Sequence, residues 1–407
     1  MLRERRVLCS PRALFSPLRT SDLREKKKIR TTLILALSGT LGVGNITGVA
    51  ASLILGGAGS VFWMLLSTPF AIALKYAESS ISISRGNGEG IPGVLKNTLG
   101  NRTGKHLSHL YLFLFLMLAL VLGGALQGNA IFENTLIYFR LDRKMLSIFL
   151  TLAVAFAVLG KTEKILKILS FSLPFATIIY IMLCLCVLLS NIEQFPYLFH
   201  RILNEAFEGV RPTVAGVVGA FTSHAAREGF SAGVLSNEAG AGTSAFAHEG
   251  GESFRRAGAI GALEVIFDTA LLCTLSALTF LIGSSTDGAG NAAEVIERTF
   301  LPVLGRSYVL PLLISLSLLA ISSNLCYAVY VRRTLSHAHR ERWIFPFTLL
   351  FLLATGLGGM LSSTLLVTLS HYLLFAMCIL TAIAVFASFL GQDNKKGHLS
   401  NGDNPKD

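Results

Sequence analysis

Long apolar runs separated by short polar and basic stretches fill the chain from about residue 31 to residue 390. A helix that spans a bilayer needs roughly 20 predominantly apolar residues. Ten runs meet or approach that length, at about 31–56, 60–83, 107–131, 145–160, 165–190, 213–236, 257–283, 308–331, 343–360 and 364–390. The fourth and ninth are short, and the first and sixth are interrupted by glycine. The pattern predicts an all-α polytopic membrane protein. A basic tail over 1–30 precedes a transmembrane domain over 31–390, and a second tail occupies 391–407. No cleavable signal peptide is expected. The basic stretch is longer than a usual n-region, and no small-residue cleavage site follows a short apolar segment.

Composition agrees with that pattern. Of the 407 residues 52% are hydrophobic and only 14% charged, against about 25% charged in a soluble domain. The net charge is nonetheless +11. With the N-terminus placed in the cytoplasm and ten crossings, 26 of the 35 Lys and Arg fall on the inner side and seven on the outer. Lys75 and Arg227 lie within spans. That bias follows the positive-inside rule and predicts a cell-membrane protein with both termini cytoplasmic. The basic residues are dispersed between apolar runs and form no patch on a soluble face, so no nucleic-acid partner is expected and the lipid bilayer is the environment. The six cysteines include no C-x-x-C pair, and five fall in apolar stretches. They read as small buried residues rather than as metal or redox centres.

The glycines of the first run cluster. Residues 38–48 read Ser-Gly-Thr-Leu-Gly-Val-Gly-Asn-Ile-Thr-Gly, and each glycine inside a helix costs about 1 kcal/mol relative to alanine. Small residues at helical spacing allow close helix packing. The competing reading is a discontinuous helix whose free N–H groups face an anion and whose free C=O groups face a cation. Gly42 and Gly44 are two apart rather than four, and Asn45 adds an amide at the same depth, which favours unwinding. The sixth run carries Gly209, Gly216, Gly219, Gly229 and Gly233 around Thr222-Ser223-His224. Interrupted helices at places one and six of ten point to a five-plus-five inverted-repeat transporter with its site between the halves.

The order of motifs is also recognisable. Gly-Val-Gly-Asn-Ile-Thr-Gly-Val-Ala (42–50) leads to Gly56-Gly57, Phe62-Trp63-Met64 and Lys75-Tyr76-Ala77-Glu78. Gln127-Gly128-Asn129-Ala130, Ser236-Asn237-Glu238-Ala239-Gly240 and Phe267-Asp268-Thr269 follow. Over about 31–283 this resembles the alanine or glycine:cation symporter family of bacteria and archaea, sodium-coupled importers of small neutral amino acids. The resemblance implies that N–H groups around Gly42, Val43, Gly44 and Asn45 receive a substrate carboxylate. It also implies substrate contacts from Gln127 and Asn129 on the third helix, from Phe221 and Thr222 on the sixth, and from Ser323 and Tyr327 on the eighth. The carbonyls of Ser38, Leu41 and Leu319 with the hydroxyls of Ser322 and Ser323 resemble a sodium site between helices one and eight. No cofactor is implied beyond sodium as the coupling ion.

Several positions depart from the family. The basic tail stands where relatives usually carry another helix. Val43 replaces a threonine, and Ser322-Ser323 with Tyr327 and Ala328-Val329-Tyr330 alter the pattern of the eighth helix. The tryptophan-and-aspartate pattern near the tenth has no match in Gly359-Met360-Leu361-Ser362-Ser363. Of the polar residues within spans, Glu264 and Asp268 share one face of the seventh helix, where helix-to-helix hydrogen bonding and gating are equal readings. Lys75 and Glu78 read as a structural pair, and His224 as a packing residue. Asn237 and Glu238 read equally as an inner-gate contact or a helix-ending motif. The leading expectation is a sodium-coupled symporter of an alanine- or glycine-type amino acid that works by alternating access. Two alternatives stay open: a degenerate, non-transporting sensor or membrane partner, and proton coupling through Glu264, Asp268 or His224. No nucleophile–base pair or phosphate loop argues for an enzyme.

Overall fold

The computed structural model describes residues 11–100, 102–139, 142–208, 223–248, 253–282 and 286–400, which are helical with no strand among them. After a short helical turn at Pro11–Phe15, helix α1 (Leu23–Thr40) starts about two turns before the apolar run that predicted it. The Asp22 side chain caps it, accepting the N–H of Arg24 at 2.9 Å. Residues 41–43 are non-helical, and α2 (Gly44–Gly56) resumes beyond them. Then come α3 (Ser60–Arg85), the short α4 (Ile91–Thr98), α5 (Thr103–Leu118) and α6 (Gln127–Tyr138), with the π-helical segment Ala119–Leu126 joining the last two. Helices α7 (Arg143–Val158), α8 (Thr162–Ser190), α9 (Phe195–Ala206) and α10 (His224–Leu235) follow. The second half holds α11 (Phe254–Val265) and α12 (Thr274–Leu281), joined by a second π-helical segment, Ile266–Cys273. It ends with α13 (Ala292–Leu304), α14 (Val309–His337), α15 (Ile344–Leu357) and α16 (Ser363–Ser400).

Eight helical stretches are long and apolar enough to cross a membrane among the described residues. They coincide with eight of the ten runs read from the sequence. The fourth run is the shorter apolar helix α7, and the first part of the sixth, 213–222, lies outside the described residues. Large apolar side chains face outward, with Phe149 at 70%, Phe156 at 75% and Phe171 at 72% exposure. In water such faces would drive association, whereas lipid is their natural solvent.

Three segments read as connections are helices in their own right. In α9 the residues Leu198, Ile202 and Ala206 recur every fourth position and are buried. Asn291 caps α13, accepting the N–H of Glu294 at 2.9 Å. Helix α4 begins Ile91-Pro92, where proline suits a first turn. These helices are too short or too amphipathic to register as spans.

Glycine and hydroxyl contacts bring the helices together. Gly229 and Gly233 of α10 lie on α3, where a methyl at Gly233 would come within 2.8 Å of the Met64 carbonyl. This is small-xxx-small packing, so at these two positions the close-approach reading of the glycines is the one observed. Helix α8 is fastened to α14 by Ser172 and Ser322 (Oγ···Oγ 3.0 Å) and by the Ser315 hydroxyl donating to the Ala176 carbonyl at 2.9 Å. Cys326 of α14 donates to the Leu35 carbonyl at 3.1 Å, which sets α1 against the same helix.

Candidate functional site

The gap between α1 and α2 organises the site. At the end of α1 the N–H of Leu41 still reaches the Leu37 carbonyl at 2.7 Å, but the N–H of Gly42 turns to Thr40 at 2.7 Å. The Ser38 carbonyl, which a continued helix would pair with Gly42, is thereby released. On the far side no side chain caps α2, whose N-cap is Val43 and whose first residue is Gly44. Both ends of the break thus present backbone dipoles, carbonyls from α1 and amides from α2.

Two other helices reach Gly42. A methyl placed on it would stand 2.9 Å from Ser323 Oγ of α14 and 3.3 Å from Gln127 Nε2 of α6. Ser323 is fully buried and Gln127 is 5% exposed. The Ser323 hydroxyl and the Gln127 carbonyl oxygen have no hydrogen-bond partner among the described residues, nor has the Thr40 hydroxyl at the end of α1. Buried polar atoms are ordinarily paired. Three unpaired oxygens around one helix break, two of them against the same glycine, mark a place built for a polar ligand. Gln127 is held by donating Nε2–H to the Leu122 carbonyl at 3.2 Å across the π-helical segment, a feature that recurs at functional sites.

The other residues singled out from the sequence are placed as follows. Ser38 and Leu41, at the end of α1, and Leu319 and Ser322, on α14, are all buried. Ser38 Oγ donates to the Ile34 carbonyl at 2.7 Å, and the Ser322 hydroxyl is shared with Ser172. Val43 is buried and its side chain offers no hydroxyl. Asn45 donates to Asp268 Oδ1 in the second π-helical segment. Asp268 Oδ2 in turn accepts from Ser236 at 2.8 Å and Thr269 at 3.2 Å. Asn129, two residues from Gln127 and so about 200° around the helix, donates to the carbonyls of Gly358 (3.2 Å) and Leu361 (2.9 Å). Tyr327, one turn beyond Ser323 on α14, packs its ring on Gly123 and donates its hydroxyl to Glu238. Phe221 and Thr222 lie outside the described residues.

Lys75, Glu78 and Glu264 form one buried cluster, whereas Arg227, also placed within a span by the sequence, is exposed beside Glu228. Lys75 Nζ lies 3.1 Å from Glu264 and 3.5 Å from Glu78, and it donates to Ser244 Oγ at 2.5 Å. The Ser244 hydroxyl donates in turn to the second Glu264 oxygen at 2.7 Å. Glu78 Oε2 accepts the N–H groups of Gly240 (2.8 Å) and Gly242 (3.0 Å). Lys75 therefore pairs across helices with Glu264 as well as with its neighbour Glu78. Asn237 and Glu238 act both as a helix end and as a contact. Glu238 has φ +55°, Asn237 Nδ2 donates to Gly233 O at 2.8 Å and Thr269 Oγ1 at 2.9 Å, and Glu238 takes Tyr327. His224 is exposed at the start of α10, 3.3 Å from Arg227, and is not a packing residue. The roles of Ser236 and Ser244 were not foreseen, nor were the two π-helical segments. Only the Gly123-Gly124 pair hinted at the first of those segments.

Eight stretches of membrane-spanning length among the described residues, with a helix break beside unpaired buried oxygens and a buried charge cluster, are those of a polytopic membrane protein. The family model described as the sodium:alanine symporter family matches residues 12–392. The chain belongs to that family, which is one of transporters and not of enzymes. Among its curated relatives, the uncharacterized transporter YflA of Bacillus subtilis is 29% identical over 273 residues, which are 66% of this chain and 58% of that protein. The sodium/proton-dependent alanine carrier protein of Bacillus sp. (strain PS3) is 27% identical over 385 residues, 88% of this chain and 84% of its own. The sodium/alanine symporter AgcS of Methanococcus maripaludis is 30% identical over 260 residues, 61% of this chain and 56% of its own. The matched region thus covers under two thirds of YflA and of AgcS.

Proposed function

We propose that the protein imports a small neutral amino acid, of alanine or glycine type, together with sodium by alternating access. One observation carries the reading: the unpaired Ser323 hydroxyl and Gln127 carbonyl oxygen meet at Gly42, where α1 and α2 separate. The released carbonyls of α1 and the hydroxyls of α14 are neutral hard donors, suited to a monovalent hard cation. Ser38, Leu41, Leu319, Ser322 and Ser323 are assigned to sodium. The N–H groups at the start of α2, from Val43, Gly44 and Asn45, receive the substrate carboxylate, with Gln127 beside it. The names of the PS3 and Methanococcus relatives, an alanine carrier and a sodium/alanine symporter, support the same cargo. In this reading α1 with α2, and the sixth run that ends in α10, are matching broken helices of a five-plus-five repeat. Ten crossings place both termini in the cytoplasm of a cell-membrane protein.

The driving force suffices. One charge crossing about 100 mV is worth about 2.3 kcal/mol, and a roughly tenfold sodium gradient adds about 1.4 kcal/mol. Together they support accumulation of a neutral amino acid by several hundredfold. Uptake of radiolabelled alanine and glycine into proteoliposomes, with sodium or choline outside, tests the proposal. Sodium-driven uptake is expected. Uptake driven equally by a pH gradient in sodium-free buffer would assign the coupling to protons, and no uptake of any small neutral amino acid under either gradient would defeat the proposal.

A further inference from the structure

One face of α1 is out of keeping with its position. Arg24, Lys27, Lys28, Thr31, Thr32 and Leu35 follow the three-four spacing of a single helical stripe, and together with Arg333 of α14 they line a cavity of 290 Å³. Four of the seven lining side chains are cationic and none is a carboxylate. Cations in the first turns of a helix oppose its dipole, which favours anions there. Glu25, the acid of that first turn, lies off the stripe, where it accepts from Thr20 at 2.8 Å and from Arg256 at 3.3 Å. Among the described residues Arg24, Lys27 and Lys28 pair with no carboxylate. Arg333 is anchored by donating to the carbonyls of Phe246 (3.1 Å) and Ala247 (2.6 Å), which fixes its charge at the wall.

We propose that this cavity binds a phosphate-bearing anion, in the first place the headgroup of an anionic phospholipid. The anion would relieve both the mutual repulsion of the cations and their conflict with the helix dipole. A phosphate offers several oxygens to several donors at once, which a lone carboxylate does not. The volume lies at the lower limit for small-molecule sites, the size of a headgroup rather than of a large metabolite. The lipid assignment rests on the topology proposed above, which puts the start of α1 and the end of α14 at the cytoplasmic bilayer surface, where basic clusters meet anionic lipid. Bound there, the anion joins the segment before the helix break to the helix that carries Ser323.

The test reads binding and not transport, so the two proposals fail separately. Full-length protein in neutral detergent is titrated with phosphatidylglycerol, with phosphatidylcholine of the same chains, or with potassium phosphate, and bound lipid is counted by native mass spectrometry. Phosphatidylglycerol is expected to bind over phosphatidylcholine. The triple variant Arg24→Gln, Lys27→Gln, Lys28→Gln should bind it about a hundredfold more weakly, and Lys27→Gln alone about fivefold, which covers a triple variant that does not fold. Lys26→Gln, off the stripe, serves as control. Inorganic phosphate that displaces the lipid at millimolar concentration from native protein, but not from the variant, assigns the cavity to a soluble phosphate and supports the anion site. Equal binding of the two lipids, unchanged affinity in Lys27→Gln and the triple variant, or an equal loss in Lys26→Gln would overturn it.

Discussion

Gly42→Ala is the sharpest perturbation of the candidate site. The added methyl would stand 2.9 Å from Ser323 Oγ and 3.3 and 3.4 Å from the two terminal atoms of Gln127. The backbone does not resist alanine, because Gly42 is not among the glycines with positive φ. The two side chains must therefore give way. Turning each off its rotamer costs about 0.5–1.5 kcal/mol, so about 1–3 kcal/mol falls on any state that needs both in place. That converts to a loss of about five- to 150-fold in affinity for sodium and amino acid. In the ligand-free protein both side-chain ends can rotate away, and the melting temperature should stay close to native. Gly48→Ala is the matched control, since a methyl there meets nothing within 4 Å, and it should fold and transport as the parent does. The assay is sodium-dependent alanine uptake over a range of both concentrations, beside thermal unfolding in detergent. Native apparent affinities for both ligands in Gly42→Ala would refute the placement of the site.

Other variants separate site from scaffold. Ser323→Ala removes a hydroxyl that has no hydrogen-bond partner among the described residues, so folding should be untouched. The sodium-induced gain in stability, about 2.7 kcal/mol at a hundredfold excess over Kd, should be lost, as read by melting in sodium against choline. Lys75→Met leaves buried Glu264 and Glu78 without their cation and should cost about 3–5 kcal/mol. Lys75→Met with Glu264→Gln should recover part of that loss in the same melting assay, and no recovery would contradict the pairing. Asn129→Ala deprives the Leu361 carbonyl of its side-chain donor and leaves Gly358 with only the N–H of Leu361, and should cost about 1–3 kcal/mol of stability. Its sodium affinity should be unchanged, whereas a residue that touches cargo would lose both.

The apolar runs made the membrane helices legible because twenty-odd apolar residues in sequence have few other solutions. The helix break was legible for the same local reason, since Gly42 and Gly44 with Asn45 cannot serve a continuous packed helix well. The meeting of Gly42 with Gln127 and Ser323 was reachable only through the family resemblance, because these residues are 85 and 281 positions away from Gly42 and no local pattern links them. The short helices α4, α9 and α13 escaped because an amphipathic helix of eight to thirteen residues reads as a polar connection in a search tuned to spans. Asn129 shows the limit of motif reasoning. It shares a motif with Gln127, yet the helical period turns it to the opposite side, onto the turn at Gly358.

The segment that follows α10 joins these observations. Between residues 236 and 247 it is gripped from every side. Ser236 holds Asp268, Glu238 takes the hydroxyl of Tyr327, and the N–H groups of Gly240 and Gly242 bind Glu78. Ser244 bridges Lys75 and Glu264, and the carbonyls of Phe246 and Ala247 hold Arg333. Charged or polar side chains from α3, α11, the second π-helical segment and α14 therefore converge on a dozen residues. Tyr327 stands one turn from Ser323 on a rigid helix, and Asp268 reaches Asn45 at the start of α2. Displacement of this segment must break bonds to both halves of the site at once. In the alternating-access reading proposed above, the end read as cytoplasmic must open, and the contacts that open are those whose loss the bound ligands decide. In that reading Glu238 meets the condition directly, because Tyr327 shares α14 with Ser323, and Asp268 meets it through Asn45 at the start of α2. The Lys75–Glu264–Ser244 bonds do not, because they join the segment to scaffold helices on which no cargo contact is placed.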